Sequence, residues 1–259
     1  MCAYWAMLLA GFRRQATYRL AMVSGLATNA FFGVVRTAIF LALYRQRDQV
    51  GGLDVRDALT YVWLLEALFG VIWVSWIWET AESIRSGDFV IELLRPGDPY
   101  LRLLTFDLGR TLNLLAVRAL PPLTVAWLVL PLRLPGSPGG LALLALSCVL
   151  AAVVGFQVRF LFGAAAFWTP DYRSVWMLVF PAVWLASGFM IPVDYFPAAL
   201  RVAASASPLF ALVMAPVRVA TGRSVGLALA SQVLWVAGLW AAGRLVLALA
   251  GRRLVVHGG

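Results

Sequence analysis

Three charged residues, Arg36, Glu66 and Arg118, fall inside long apolar runs of this 259-residue chain. An unpaired charge in hydrocarbon is costly, so each needs a partner or water. Arg36 and Glu66 each lie about eight residues from one end of their runs, a matched depth that predicts an ion pair. Arg118 lies about six residues deeper, roughly 9 Å at helical rise, and suits Glu66 less well. Phe69, Trp73 and Trp76 follow Glu66 at helical spacing. An acid beside aromatic rings can accommodate a lipophilic cation through charge and cation–π attraction. The plainer reading is helix packing and an interfacial aromatic belt. A third use of Arg36, Glu66 and Arg118 is the ion path of a secondary carrier or channel that needs no ATPase.

The other chemically rich stretch runs over 79–104, ETAESIRSGDFVIELLRPGDPYLRLL, with five carboxylates and three arginines. Such a segment must face water. Glu79, Glu82 and Arg85 share one helical face, and Glu82 can pair with Arg85 across one turn. Gly87 suits a helix stop, and Pro96-Gly97-Asp98-Pro99 enforces a turn.

Several chemistries are excluded. All 21 basic residues are arginine, so no P-loop lysine exists and the chain does not hydrolyse ATP by that motif. Its single histidine, His257, sits near the end, a poor place to orient a catalytic base. No catalytic constellation and no metal-ligand set emerges, and Cys2 and Cys148 show no basis for a disulfide. The formal charge of +9 comes from arginines scattered between apolar runs, which suits headgroups and topology and gives no nucleic-acid track.

The elements that must position these groups are membrane helices. The chain is 62% hydrophobic, and its long apolar runs rule against the ~10-residue alternating segments of a β-barrel. Six crossings are expected, at roughly 20–43, 58–78, 108–132, 139–163, 175–191 and 226–249, forming one all-α transmembrane domain over 1–259. Residues 1–19 read as an amphipathic interfacial helix that is not cleaved, with Trp5, Leu8, Leu9, Phe12 and Ala16 on one face. Between 191 and 222 the sequence stays apolar but is cut by Pro192, Pro197, Pro208 and Pro216, which predicts two short helices in a re-entrant hairpin. Arginines favour the segments on the side of the termini, so both termini and the 79–104 island are expected in the cytoplasm.

This layout, with IRSGDFVIELLRPGDPY (84–100) and SGFMIPVDYFPAALRVAASASPLFALVMAPVRVATG (187–222), resembles permease subunits of type-2 ABC exporters. The resemblance is to the small six-helix branch that works with a separately encoded ATPase. It implies a coupling helix at Glu79 to Phe89 that docks on the ATPase, with Ile84 and Phe89 as apolar anchors. A second contact through Asp171 and Arg173 is implied on the same side, where a tight turn at Pro170 is the competing reading. The resemblance also implies a path lined by the second and fifth helices, adding Trp184 and Phe189 to Glu66, Phe69, Trp73 and Trp76. The expected assembly has a second permease, a heterodimer in preference to a homodimer, and two ATPase copies that carry ATP and Mg. The expected role is outward movement of a hydrophobic or amphiphilic substrate, a drug-like molecule or a lipid, across the inner membrane.

Overall fold

The computed structural model describes residues 2–72, 77–169 and 171–254. Helix α1 (Cys2–Ala16) leads into the long α2 (Arg19–Tyr44). On α2 the residues Met22, Asn29, Gly33, Thr37 and Phe40 are buried, a stripe at helical spacing, while Leu20 is 88% exposed. Gly33 makes room for the Trp63 ring, whose indole N–H donates to the Thr37 hydroxyl at 3.1 Å.

Helix α3 (Val55–Ile72) is the centre of the bundle. Ala58, Leu59, Val62 and Leu65 are wholly enclosed, and the burial runs round the whole helix, as expected of a helix surrounded by others. Asp54 caps it, its carboxylate accepting from the Asp57 backbone N–H at 2.8 Å.

After α3 come α4 (Ile77–Ser86) and α5 (Asp88–Leu94), separated by Gly87 at φ +85°, a left-handed conformation that glycine adopts without steric cost. Asp98 then caps α6 (Pro99–Leu114), accepting from the Leu101 N–H at 3.0 Å, with Pro99 in the first helical position. Helix α6 continues through a π-helical turn, Leu115–Ala119, into α7 (Leu120–Val129). Pro121 and Pro122 have no N–H to donate, and the wide turn ahead of them absorbs the lost bonds without ending the span.

Ser137 caps α8 (Pro138–Ala164), and Asp171 caps α9 (Tyr172–Ala186), which carries Pro181 internally. Two short helices follow, α10 (Ala198–Ser205) and α11 (Phe210–Thr221), bent by 98° at their junction. Gly222, at φ +74°, stops α11 before the last helix, α12 (Val225–Leu254). Helix α11 is buried along its length and packs with α3, α8 and α12 into the main apolar core. A second core joins Ile84 and Phe89 to Tyr100, Leu104, Phe156 and Phe160.

Among the described residues four helices are long and apolar enough to cross a membrane: Arg19–Tyr44, Pro99–Val129, Pro138–Phe167 and Val225–Ala250. The bent pair α10–α11 makes five if it counts as one span. The chain is an all-α, multi-pass integral membrane protein. The expected second and fifth crossings are represented by α3, an 18-residue helix carrying Arg56, Asp57 and Glu66, and by the 15-residue α9. Neither is among the four, because α3 is too charged and α9 too short. From 191 to 222 Asp194 is buried and bound to Arg218 at 2.7 Å, while Arg201 is exposed.

Candidate docking segment and membrane charge cluster

The turn at Gly87 gives α4 and α5 different faces. Ile84 and Phe89, expected as outward apolar anchors, are 9% and 2% exposed and point into the second core. Phe89 meets Phe167 edge to face at 5.5 Å. They therefore fasten the segment to its own chain. The apolar side chains that do face out are on α5: Ile91 is 54% exposed and Leu94 80%. Their i, i+3 spacing was visible in sequence, but the phase change at Gly87 was not.

The acidic residues have separate tasks. Glu79 takes two bonds from Arg110, at 2.7 and 3.1 Å, and a looser contact from Arg14 at 3.4 Å, which joins α4 to α6 and α1. Glu82 does not pair with Arg85 along its own helix. It pairs with Arg173 at 3.3 Å, across from the start of α9, and both side chains are exposed. The Arg173 guanidinium also lies 5.9 Å from the Trp78 ring centre, and Arg85 lies 5.8 Å from that of Tyr172. Asp171 is the α9 cap; hydrogen bonds from the Ser174 side chain and backbone N–H hold its carboxyl below the usual range. Glu82, Arg85, Asp171 and Arg173 thus come together at one exposed place, although two chain segments contribute them.

In the membrane region Arg36 Nε lies 3.5 Å from Glu66 Oε1, and an Arg36 Nη donates to the Phe189 carbonyl at 3.3 Å. The same guanidinium lies over the Phe189 ring at 4.8 Å. Phe189 in turn meets Phe69 at 4.9 Å and Trp184 at 4.5 Å. Glu66, Phe69, Trp184 and Phe189 therefore form one patch; Trp73 and Trp76 lie outside the described residues. Arg118 joins through a residue that sequence reasoning missed. Asn29, 1% exposed, donates to the Glu66 carbonyl at 2.8 Å and accepts from Arg118 at 2.9 Å. A buried asparagine at mid-span, flanked by two charged helices, was the signal that could have found it.

A further buried pair, Asp107–Arg159 at 2.7 Å, links α6 to α8 near the docking segment. At the opposite end of the bundle Arg133 reaches both Asp54 and Asp57 at 2.6 Å, and Arg223 reaches Asp57 at 3.2 Å. Burial raises the Asp54 carboxyl, but the backbone N–H of Asp57 and the Arg133 charge outweigh it and hold the group below its ordinary value. No group of residues with metal-ligand geometry occurs among the described residues.

Long apolar helices, internally paired charges and a polar segment between them define a multi-pass membrane protein. Residues 32–258 match the family described as ABC-2 family transporter protein, and the chain belongs to that family. Its members of this kind are non-catalytic membrane subunits of ABC transporter systems. None of the curated proteins matches the chain, and no solved structure does.

Proposed function

We propose that the chain is one transmembrane half of an ATP-driven exporter that moves a hydrophobic or amphiphilic molecule outward. The half makes six crossings, with α3 and α9 completing the set, and both termini lie in the cytoplasm of a cell whose inner membrane holds it. The α10–α11 pair is the re-entrant element on the far side. A partner ATPase, present in two copies, binds ATP and Mg, and a second permease, a different chain in preference to an identical one, completes the path. Glu66, Phe69, Trp184 and Phe189 line that path, with Trp73 and Trp76.

The observation that carries this reading is the exposure of Ile91 and Leu94 on a segment whose Glu82 and Arg85, with Arg173, are also exposed. Exposed apolar side chains on a charged segment have the composition of a docking patch, with an apolar centre and a polar rim. A free loop that merely caps helices has no need to expose Leu94. The test is purification of the tagged chain from its native membrane. A P-loop ATPase that co-purifies and is lost when Ile91 and Leu94 are both changed to Asp supports the reading, and retention of the ATPase by that variant moves the docking face elsewhere.

The charge cluster Arg36–Glu66–Asn29–Arg118 favours one second reading, a secondary carrier with these groups as its ion path. A native complex without any ATPase would select it.

A further inference from the structure

Behind the docking face lies a half-open cavity of about 830 Å³, bounded by α1, α4, α5, α6 and α8. Arg14, Arg95, Arg102, Arg110 and Arg159 line it. So do Glu79, Glu82, Asp88, Glu92 and Asp107, so the two signs occur in equal number. Met7, Ala10, Phe106 and Phe156 supply an apolar wall. The volume falls in the range of small-molecule sites.

Its place in the bundle sets the environment. The arginines of α6 that line it, Arg102 and Arg110, lie within the first twelve residues of a 31-residue span. One wall is the amphipathic α1, which packs so closely on α6 that Gly11 lies against the Phe106 carbonyl and Gly109 against that of Leu8. Arginines between helices near the end of a span are a usual seat for a lipid phosphate.

Each lining arginine holds a lining carboxylate, Arg14 and Arg110 on Glu79, Arg95 and Arg102 on Glu92, and Arg159 on Asp107, so a ligand would meet their spare donors. Arg102 is 5% exposed and bonds to the Glu92 carboxylate at 3.1 Å and to the Pro96 carbonyl, yet its Nε has no hydrogen-bond partner. A buried donor left without an acceptor costs free energy, which a ligand oxygen would recover once the Arg102 side chain turns this enclosed group toward the cavity. Arg95 holds Glu92 at 2.6 Å with a side chain that is 53% exposed, so it too can turn donors to a ligand. On the acidic side Asp88 accepts from the Ser86 hydroxyl at 2.7 Å and remains exposed.

We infer that this cavity seats a zwitterionic phospholipid, its phosphate on Arg102 and Arg95, its ammonium at Asp88, and its acyl chains along the α1 wall. Equal numbers of guanidinium and carboxylate groups favour a headgroup with both signs over a simple anion. The apolar wall favours an acyl-bearing ligand over a free phosphate. The site shares no residue with the Glu66 patch and takes its lipid from the leaflet that α1 faces. A lipid there would sit between the docking segment and the membrane helices.

The experiment is lipid titration of the delipidated, detergent-purified full chain, read by native mass spectrometry. The probes are short-chain phosphatidylethanolamine, phosphatidylglycerol and diacylglycerol, with inorganic phosphate as a competitor. Phosphatidylethanolamine is expected to bind best, diacylglycerol not to be retained, and inorganic phosphate not to displace the lipid. Arg102→Gln and Arg95→Gln should each weaken binding about fivefold, the size set by one basic residue at a phosphate surface. Asp88→Asn should erase the preference over phosphatidylglycerol. Arg95 is surface-exposed, so its variant tests the site even if Arg102→Gln fails to fold. Equal retention of diacylglycerol, displacement by inorganic phosphate, a wild-type preference for phosphatidylglycerol, or unchanged binding by Arg95→Gln would each overturn the inference.

Discussion

Arg173 Nη2 lies 3.3 Å from Glu82 Oε1, joining the start of α9 to the polar segment between α3 and α6 across 91 residues of sequence. Two stretches that face the same water are thereby made into one surface. Since both side chains are exposed, water screens the pair and it adds little to stability. Its value is in arranging charge where a partner can meet it.

That view predicts a charge-swap result. Glu82→Arg and Arg173→Glu should each reduce ATPase retention on the purified chain, while the double swap restores part of it. Melting temperatures of all three should stay close to wild type. Equal loss in the double variant would show that each charge meets the partner separately.

The membrane pair should behave differently. Glu66 is 3% exposed, and Glu66→Ala leaves Arg36 without its carboxylate at membrane depth. A loss of about 3 kcal/mol is expected, with part of it recovered in the Arg36→Ala, Glu66→Ala double variant. Thermal unfolding in detergent measures both. A double variant no more stable than Glu66→Ala would dissolve the pair.

The Arg36–Glu66 relationship could be read from sequence because depth in a span follows directly from counting residues. Arg118 could not, for two structural reasons. Helix α3 begins at Val55, three residues earlier than its apolar run, so Glu66 sits deeper than counting implied. The π turn at Leu115–Ala119 also rotates Arg118 off the phase of a regular helix, and Asn29 closes the remaining gap. In the docking segment the residue types were legible and their directions were not. Ile84 and Phe89 look like surface anchors in a continuous helix, but the left-handed Gly87 divides that helix and turns both inward. The six apolar runs were visible. The inward charges of α3 and the shortness of α9 depend on where helix ends fall, the least legible property of a sequence.

The contact of α1 with α6 depends on two glycines. At Gly11 and Gly109 an added Cβ would overlap a backbone carbonyl of the facing helix. Gly109→Ala should therefore destabilise by about 1–3 kcal/mol, since backbone cannot yield as a side-chain tip can. Gly226→Ala, in α12 with open space around it, is the control and should be neutral or stabilising by under about 1 kcal/mol. Similar melting temperatures for the two variants would argue against tight α1 packing.

The far-end clamp should respond to acid with a definite sign. Asp54 has a folded-state value held below its ordinary 3.8, so its contribution is fully present above that value. It is lost as pH falls through the lower, folded value. Asp54→Asn should lower the melting temperature at pH 7, and the gap from wild type should close below about pH 4. A gap that widens in acid would contradict the assignment.

The central claim is that the α5 face meets the ATPase, and photo-cross-linking from single positions in native membranes tests it most directly. Leu94 and Leu227 are 80% and 75% exposed, the first on the docking face and the second on the lipid-facing last helix. A photoreactive residue at Leu94 should cross-link a P-loop ATPase, and one at Leu227 should not. Cross-linking from Leu227 with none from Leu94 would contradict the account.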